Sequence, residues 1–453
     1  MSTTVDVAAI IERQKLSGFL VGLVAISWVI TFFDGFDMNV IAFAAPYLTK
    51  QFALDRTMMG YVFSIGLVGT MIGGFLFGAL GDRIGRRPAI ILATAAFGVL
   101  TIGLAFADSY PALLTMRLIL GIAIGGMLPL AWALNIEYAP LRYRSTIVTV
   151  IMVGYSAGTA LGGPIANALI PRFGWPSVFL AGGALSILAA IALAIMLPES
   201  VRFLASKGRD PGRIAAILGR IDPGQPIPTN PRFIVADEAG HDRNFRIPLL
   251  FKGELATITP LLWIAYIFSS ITAFFLATWT PLVFEALGYE RSTAALAAAA
   301  NSAMGALGGL LLMRFTDRLG AIAITVMPLL AVPALLVAGL VDLGWTGFLV
   351  AQAFITLLLI GGHFGLHSIA GIFYPSAYRG NGAGWATSVA KIGSIAGPAL
   401  AGWILSTGLP VRNIFVVLAI CPAVFCVCIF IIGRKHSRLL QSHPEGLVTA
   451  HAD

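Results

Sequence analysis

Long apolar segments separated by short polar ones dominate this sequence and limit what it can fold into. A transmembrane helix needs about 20 apolar residues. Charged residues make up only 11% of the 453, against about 25% in soluble domains. The sequence therefore predicts an all-α membrane protein with twelve transmembrane helices, at 18–47, 58–80, 88–107, 110–136, 145–170, 176–197, 256–285, 292–314, 321–341, 346–374, 381–408 and 411–433.

A polar stretch between the sixth and seventh segments divides the chain into two halves. GDRIG at 81–85 recurs as TDRLG at 316–320, an offset of 235, and GGP at 162–164 recurs as AGP at 396–398, an offset of 234. This repetition predicts two pseudo-symmetric six-helix bundles. The predicted domains are an N-terminal segment at 1–17, a first bundle at 18–197, a central loop at 198–255, a second bundle at 256–433 and a tail at 434–453.

The central loop contains one segment with a helical pattern. In PGRIAAILGRI at 211–221, Ile214, Ile217, Leu218 and Ile221 have the spacing of an amphipathic helix. We expect this helix to lie either on the membrane surface or against the base of the first bundle. The following DPGQPIPTNP is predicted to be irregular.

The distribution of basic residues predicts the orientation of the helices. With both termini in the cytoplasm, cytoplasmic segments hold 22 of the 29 Lys and Arg residues and the outer loops hold five. The net charge of +8 is thus a topology signal rather than an indication of nucleic-acid binding. The three cysteines all lie in the last apolar segment, and neither a disulfide nor a metal site is predicted.

Several ionisable residues lie inside the apolar segments. Asp34 and Asp37 occur in TFFDGFDMNVIAF, Arg117 lies in the fourth segment and Lys391 in the eleventh. A charge at that depth costs at least a few kcal/mol, so such residues are functional candidates. Arg117 is either a structural cation or the counter-ion of a substrate anion or of a carboxylate in the first segment. Asp34 either pairs with Arg117 or marks a backbone break at Gly35.

Two histidines in the tenth segment form a second group of candidates. His363 and His367 are four residues apart and share a helix face. They are predicted either to hydrogen-bond a substrate or to pack between helices. No metal-ligand cluster, catalytic nucleophile with its base, or phosphate loop accompanies them, so an enzyme is not predicted.

Several motifs carry a resemblance to a known family. GALGDRIGRRPAI at 78–90 resembles the cytoplasmic-loop signature of the major facilitator superfamily. EYAPLRYR at 137–144 and PESVR at 198–202 resemble signatures of its metabolite porters. DGFD at 34–37 together with YPSAYRGNGAGWA at 374–386 resembles the aromatic acid:proton symporter family. The resemblance implies two bundles with a substrate site at the midplane between them.

The resemblance also implies roles for the charged residues. Asp34 and Asp37 match the carboxylates associated with proton coupling, and Asp37 is the first choice for the proton site. The charged residues of the cytoplasmic motifs are expected to form ion pairs that gate the inner side. These gate residues are Asp82, Arg83, Arg86, Arg87, Glu137, Arg144, Glu199, Arg202, Asp317, Arg318 and Arg379.

One segment departs from the family pattern. After Trp385, where the family commonly has a GxGRxG-type run, this chain has Ser388, Ala390 and Lys391 in SVAKIG. Lysine keeps the charge but loses the planar fork that grips a carboxylate at two points. The predicted substrate-binding residues are Lys391, Arg117, His363, His367 and Trp385, with Lys391 favoured over Arg117 for the substrate carboxylate.

The predicted function is proton-coupled import of an aromatic carboxylate across a bacterial inner membrane. The expected partners are that acid, a proton and the lipid bilayer, with no nucleic acid and no cofactor beyond the proton gradient, and the chain is expected to act as a monomer. Alternatives are a proton antiporter exporting drugs or metabolites, because 158–164 resembles an antiporter signature, and a symporter for a sugar or an aliphatic acid. A membrane sensor on the same scaffold is a further alternative.

Overall fold

The computed structural model describes residues 4–222, 231–235, 247–319, 321–374 and 379–442. Within these ranges the side chains of 145, 302, 306, 310, 313–319, 321–323, 367–373, 379–381 and 436–442 are not described. Almost all of the described chain is helical, which confirms the predicted fold class. It divides into two compact units, one formed by 1–54 and 65–242 and the other by 55–64 and 243–453.

The first unit consists mainly of long helices that begin near the N-terminus. Ser17 caps the first of the long helices, because its hydroxyl accepts a hydrogen bond from the backbone N–H of Leu20 at 3.3 Å. The described helices of this unit are α1 (Val7–Arg13), α2 (Gly18–Gln51), α3 (Arg56–Ile84, whose first residues belong to the second unit), α4 (Arg86–Leu104), α5 (Tyr110–Gly125), α6 (Met127–Tyr138), α7 (Leu141–Phe173), α8 (Pro176–Met196), α9 (Val201–Ser206) and α10 (Pro211–Ile221).

The second unit is also helical and begins with a short 3-10 turn at Ile247–Phe251. Its described helices are α11 (Leu255–Ala286), α12 (Arg291–Leu319), α13 (Ala321–Leu340), α14 (Gly344–Phe373), α15 (Arg379–Ser406), α16 (Ile414–Leu418) and α17 (Ile420–Ser442). A single turn of 3-10 helix at Val411–Asn413 precedes α16.

Two of the predicted spans are interrupted near a proline. α5 ends before Gly126, three residues before Pro129, and α16 ends before Ala419, three residues before Pro422. Proline has no backbone N–H to donate to the carbonyl four residues earlier. The helical ladder therefore breaks at each of these positions and resumes within a residue or two.

Ten helical segments of the described chain are long and apolar enough to cross a membrane. Neither α12 nor α13 is among them, although they occupy the positions of the predicted eighth and ninth spans. The part of α13 whose side chains are described, Ile324–Leu340, is apolar but shorter. The count of twelve spans therefore stays a prediction.

Close helix packing recurs at equivalent positions of the two units. A Cβ atom at Gly158 would lie 2.0 Å from the Phe32 carbonyl oxygen, and one at Gly393 would lie 2.1 Å from the Ile267 carbonyl oxygen. Only glycine allows such an approach, because a Cβ would overlap the backbone. The residue numbers of the second pair are those of the first pair plus 235, which is the offset of the GDRIG repeat.

A second pair of helix contacts follows the same offset. A Cβ atom at Gly73 would lie 2.1 Å from the Ile122 carbonyl oxygen, and one at Gly308 would lie 2.0 Å from that of Leu357. Within each unit the same two helices therefore touch at the same level. The repeat proposed from short motifs extends to the packing of each unit.

The N-terminal segment packs on the base of the first unit. Strand β1 (Thr4–Asp6) pairs in parallel with β2 (Arg232–Ile234) from the central loop. The carboxylate of Glu12 accepts a hydrogen bond from the backbone N–H of Leu141 at 3.0 Å, and Arg142 donates to the carbonyl of Gln14 at 2.7 Å. The sequence had predicted only a cytoplasmic segment here.

The helix predicted in the central loop is present as α10. It packs against α9, α1 and α2, and its apolar residues are buried, namely Ile214, Ile217, Leu218 and Ile221. Burial of that face against protein supports the second of the two expected placements, at the base of the first unit.

Candidate functional site

A buried ion pair lies at the centre of the first unit. The guanidinium Nη1 of Arg117 on α5 lies 3.3 Å from Oδ2 of Asp37 on α2, and the two residues are 5% and 3% exposed. Within the described chain, neither Asp37 Oδ1 nor Arg117 Nε has a hydrogen-bond partner. A single contact satisfies the pair only partly, so each residue keeps capacity to bind another group.

A glycine on the neighbouring helix makes room for the arginine. A Cβ atom at Gly66 on α3 would lie 2.9 Å from Nη2 of Arg117. One at Gly121 on α5 would lie 2.1 Å from the carbonyl oxygen of Gly66, so the two helices touch directly below the guanidinium. No sequence pattern singled out Gly66, because nothing in its neighbourhood distinguishes it from other glycines of α3.

The structure predicts that Gly66→Ala will impair transport while sparing the fold. The new methyl group displaces the flexible end of Arg117 and lengthens its contact with Asp37. We expect uptake by the purified protein in proteoliposomes to fall roughly tenfold, the effect of about 1.4 kcal/mol. Gly74→Ala is the matched control, because a Cβ there meets only a carbonyl oxygen at 3.5 Å. Equal uptake by the two variants would contradict the interpretation that Gly66 makes room for Arg117.

The first aspartate lies on the same unbroken helix. α2 runs without interruption through Asp34 and Gly35, so the alternative of a backbone break at Gly35 is wrong. A Cβ at Gly35 would lie 2.1 Å from the carbonyl oxygen of Tyr155 on α7, which explains the glycine as a close helix contact. Tyr155 lies within electrostatic range of both Asp34 and Asp37. Asp37 forms an ion pair with Arg117.

One face of α15 carries the cation Lys391 next to exposed small residues. Gly384, Ser388 and Lys391 are all exposed, and they lie one turn apart on the same side of the helix. Nothing lies within 4 Å of a Cβ built at Gly384. A lysine within an otherwise apolar span requires water or a polar partner. This face is therefore suited to a hydrated anion.

Further along α15 the same face is covered by the first turns of α3, which belong to the second unit. Ser64 donates to the carbonyl of Ile395 at 2.7 Å, and Arg56 donates to that of Leu405 at 2.8 Å. A Cβ at Gly60 would lie 2.8 Å from the carbonyl oxygen of Pro398. The exposed stretch around Lys391 therefore ends where the start of α3 covers α15, from Ile395 onward. Sequence reasoning missed these contacts, since no motif marks them.

Trp385 lies on a different face of α15. Its ring is 6.4 Å from that of Trp263 and nearly parallel to it. Trp385 is 38% exposed and Trp403, which lies five turns further on the same face, is 60% exposed, with the exposed Ile392 between them. An apolar exposed stripe of this kind suits lipid, which favours a lipid contact over a substrate contact for Trp385.

The first of the two histidines makes a contact between helices. Nδ1 of His363 on α14 is 2.8 Å from Oγ of the buried Ser269 on α11. This bond is consistent with the interpretation of His363 as interior packing, while the residue itself is half-buried. The side chain of His367 lies outside the described residues. Among the described residues no group of three or more His, Cys, Asp or Glu is placed to hold a metal ion.

Several predicted gate residues cluster at one end of the first unit. Arg86 at the start of α4 pairs with Asp82 on α3, and its Nε lies 3.1 Å from the carboxylate of Glu137 at the end of α6. One arginine thus bridges three helices of the same unit. Arg144 instead donates to the carbonyl of Ala139 at 3.1 Å.

Glu199 serves as a cap for α4. Its carboxylate accepts hydrogen bonds from the backbone N–H groups of Arg87 at 3.1 Å and Ser200 at 2.9 Å. A carboxylate at a helix N-terminus is favourable because the first N–H groups lack helical partners. Gly85 has φ of +111°, and a Cβ there would lie 2.3 Å from the Glu199 carboxylate.

The remaining gate predictions fall into two groups. Arg83 is exposed and Arg202 is half-buried, and the side chain of Arg87 donates to the carbonyl of Ala194. The side chains of Asp317, Arg318 and Arg379 lie outside the described residues.

Gly85→Ala is expected to destabilise the first unit. The substitution strains the positive φ by about 1–3 kcal/mol and pushes the methyl group into the Glu199 carboxylate. Thermal unfolding of the detergent-solubilised protein measures the loss as a lower melting temperature. Gly78→Ala on the preceding helix is the control, because a Cβ there has nothing within 4 Å and alanine favours a helix. If both variants had the melting temperature of the wild type, the Glu199 cap of α4 would have no role in stability.

Comparison with known proteins places these features among transporters. The family model described as Major Facilitator Superfamily matches residues 27–372. A gallate transporter from Pseudomonas putida is 30% identical over 96% of this chain and 96% of its own. The 4-hydroxybenzoate transporter PcaK of Pseudomonas aeruginosa is also 30% identical, over 94% of this chain and 96% of its own.

Solved structures give the same fold. The crystal structure of a D-xylose-proton symporter matches with a TM-score of 0.70 at 16% identity and covers 91% of this chain and 97% of that one. A bacterial homologue of the human lysosomal transporter Spinster, in an inward-facing and occupied conformation, matches with a TM-score of 0.66 at 18% identity, over 92% and 96% of the two chains.

Proposed function

The chain belongs to the major facilitator superfamily, within it to the aromatic acid:proton symporters, and from that premise we propose that it imports an aromatic carboxylate together with a proton. Its relatives are transporters rather than enzymes. The substrates in their names, gallate and 4-hydroxybenzoate among them, are planar acids with an anionic carboxylate. The observation that carries the proposal is the buried, singly bonded pair of Asp37 and Arg117.

Protonation of Asp37 is the step that prepares the site for substrate. A neutral carboxyl no longer attracts the guanidinium, and a buried arginine without an anion is costly by several kcal/mol. The carboxylate of the incoming acid replaces Asp37 as the partner of Arg117. Arg117 thus holds one anion in each state, either Asp37 or the substrate.

The same exchange couples the two fluxes. The state with ionised Asp37 and bound substrate places two anions on one guanidinium, and the state with protonated Asp37 and no substrate leaves the cation unpaired. Both carry a charge penalty. The low-energy states are the ones with proton and substrate both bound or both absent, which is what symport requires.

Lys391 is proposed as a second cation for the substrate. It lies on the open face of α15 with Ser388 and Gly384, where a hydrated anion fits. A lysine there attracts the acid without the rigid two-point grip of an arginine. Its role is to concentrate and orient the anion, while Arg117 provides the exchange with Asp37.

The proposal includes a location and a set of partners. The chain is a multi-pass membrane protein of the bacterial inner membrane with both termini in the cytoplasm. It acts as a monomer and uses the proton gradient without a cofactor. The positive-inside distribution of Lys and Arg supports this orientation.

Uptake by the purified protein in proteoliposomes tests the proposal. Labelled 4-hydroxybenzoate and benzoate are added to vesicles with an alkaline interior, and uptake of at least one acid above that of empty vesicles is expected. This additional uptake should be abolished when a protonophore collapses the proton gradient. In vesicles without a gradient, added substrate should raise the external pH. A fall in external pH would instead indicate an antiporter. Uptake that is unaffected by the protonophore would exclude proton coupling.

A further inference from the structure

Two buried amide side chains in the described part of the second unit each have one atom without a hydrogen-bond partner. Asn301 on α12 is 7% exposed and Gln352 on α14 is 2% exposed. Within the described chain, Asn301 Nδ2 and Gln352 Oε1 have no partner. The first atom is a donor and the second an acceptor. Buried polar atoms of this kind are normally satisfied, so a group from outside the chain is expected to reach them.

The internal repeat places the two amides at equivalent positions on neighbouring helices. α12 and α14 pack closely around Gly308, as α3 and α5 do in the first unit. At the offset of 235 residues, Asn301 corresponds to Gly66 and Gln352 to Arg117. A Cβ atom built at Gly66 would lie 2.9 Å from Nη2 of Arg117. The equivalent positions of the second unit therefore bring Asn301 and Gln352 to the same level of neighbouring helices.

The second unit carries no charge where the first has its ion pair. Asp37 corresponds to Thr272, whose hydroxyl donates to the carbonyl of Phe268 at 3.1 Å, and Arg117 corresponds to the neutral Gln352. An amide pair that offers one donor and one acceptor matches a hydroxyl group, which both accepts and donates. A carboxylate only accepts, so Oε1 of Gln352 would repel it.

We propose that Asn301 and Gln352 bind a hydroxyl group on the ring of the transported acid. The hydroxyl accepts a hydrogen bond from Asn301 Nδ2 and donates one to Gln352 Oε1. The pair thus selects ring-hydroxylated acids over unsubstituted benzoate, because benzoate leaves both amide atoms unsatisfied. This inference rests on the proposed import of aromatic acids.

The test compares two acids in the same preparation of proteoliposomes. The ratio of initial uptake rates for 4-hydroxybenzoate and benzoate is measured for the wild type, Gln352→Leu and Asn301→Leu, each below saturation. Using a ratio cancels differences in the amount of folded protein. Each substitution is expected to lower the ratio about tenfold, with benzoate uptake per folded protein retained.

Two further variants complete the design. Gln352→Asn keeps the amide but shortens it, and it should give a ratio between those of the wild type and Gln352→Leu. Thr278→Val is the control, because Thr278 is equally buried but its hydroxyl already donates to the carbonyl of Phe274 at 2.7 Å. That variant should leave the ratio unchanged.

The outcomes separate this inference from the proposed function. If the wild type took up neither acid, the proposed function would fail. If it took up both but no variant changed the ratio, import would stand and the hydroxyl site would be overturned, with ordered water as the partner of the amides. A parallel loss of both acids in Gln352→Leu and Asn301→Leu would indicate a structural role and would also overturn the site.

Discussion

Asp37→Asn is expected to abolish accumulation of the aromatic acid while leaving exchange across the membrane. Asparagine cannot ionise, so Arg117 keeps no anionic partner when the substrate leaves. The loaded protein still changes conformation, but the empty one carries an unpaired buried cation whose cost of about 3–5 kcal/mol slows its return by more than a hundredfold. Net uptake in a proton gradient should fall to the level of empty vesicles.

Counterflow measures the activity that remains. Vesicles preloaded with unlabelled acid should still take up labelled acid through Asp37→Asn at a rate within a few-fold of the wild type. Asp342→Asn is the matched control, since Asp342 forms an exposed pair with Arg412 at 3.1 Å, and exposed pairs contribute at most about 1 kcal/mol. Normal gradient-driven accumulation by Asp37→Asn would show that this carboxylate does not carry the coupled proton.

Arg117→Gln is expected to abolish transport and also to destabilise the protein. The change leaves the Asp37 carboxylate buried without its cation, at a cost of about 3–5 kcal/mol. The combined variant Asp37→Thr with Arg117→Gln should recover the lost stability, because it copies the neutral pair of Thr272 and Gln352 in the second unit. Transport should stay absent in both variants, since neither retains the arginine that exchanges Asp37 for the substrate carboxylate.

Thermal unfolding and uptake are measured together for this series. The melting temperature should fall in Arg117→Gln and return towards the wild-type value in the combined variant. Arg412→Gln, which breaks an exposed pair, controls for loss of an arginine. If the combined variant melted no higher than Arg117→Gln, the buried charge would not be the source of the instability.

The sequence predicted the helices and the charges within them because both depend on local composition. A run of apolar residues is itself the signal for a membrane span, and an aspartate in such a run stands out by its cost. The repeat was visible because its motifs kept their spacing. Those features identified Asp37 and Arg117 as candidates before any contact was known.

The choice of partners depended on packing that one-dimensional patterns do not carry. Asp34 and Asp37 are three residues apart on one helix, so spacing alone does not tell which of them meets Arg117. Gly66 became informative only when it was found against the guanidinium. Glu199 was predicted as a gate residue from its motif, yet its partners include backbone N–H groups, which no sequence motif displays.

The parallel pairing of β1 with β2 has a consequence for biosynthesis. Thr4–Asp6 are translated before the helices α1–α10, but their partners Arg232–Ile234 follow only after all of these helices. At 5–20 residues per second, the strand waits roughly 10–50 s for its partner. The buried face of α1 also has no α9 or α10 to pack against until residues 201–221 have been made. Closure of this small cap therefore comes only after the helices α1–α10 have been translated.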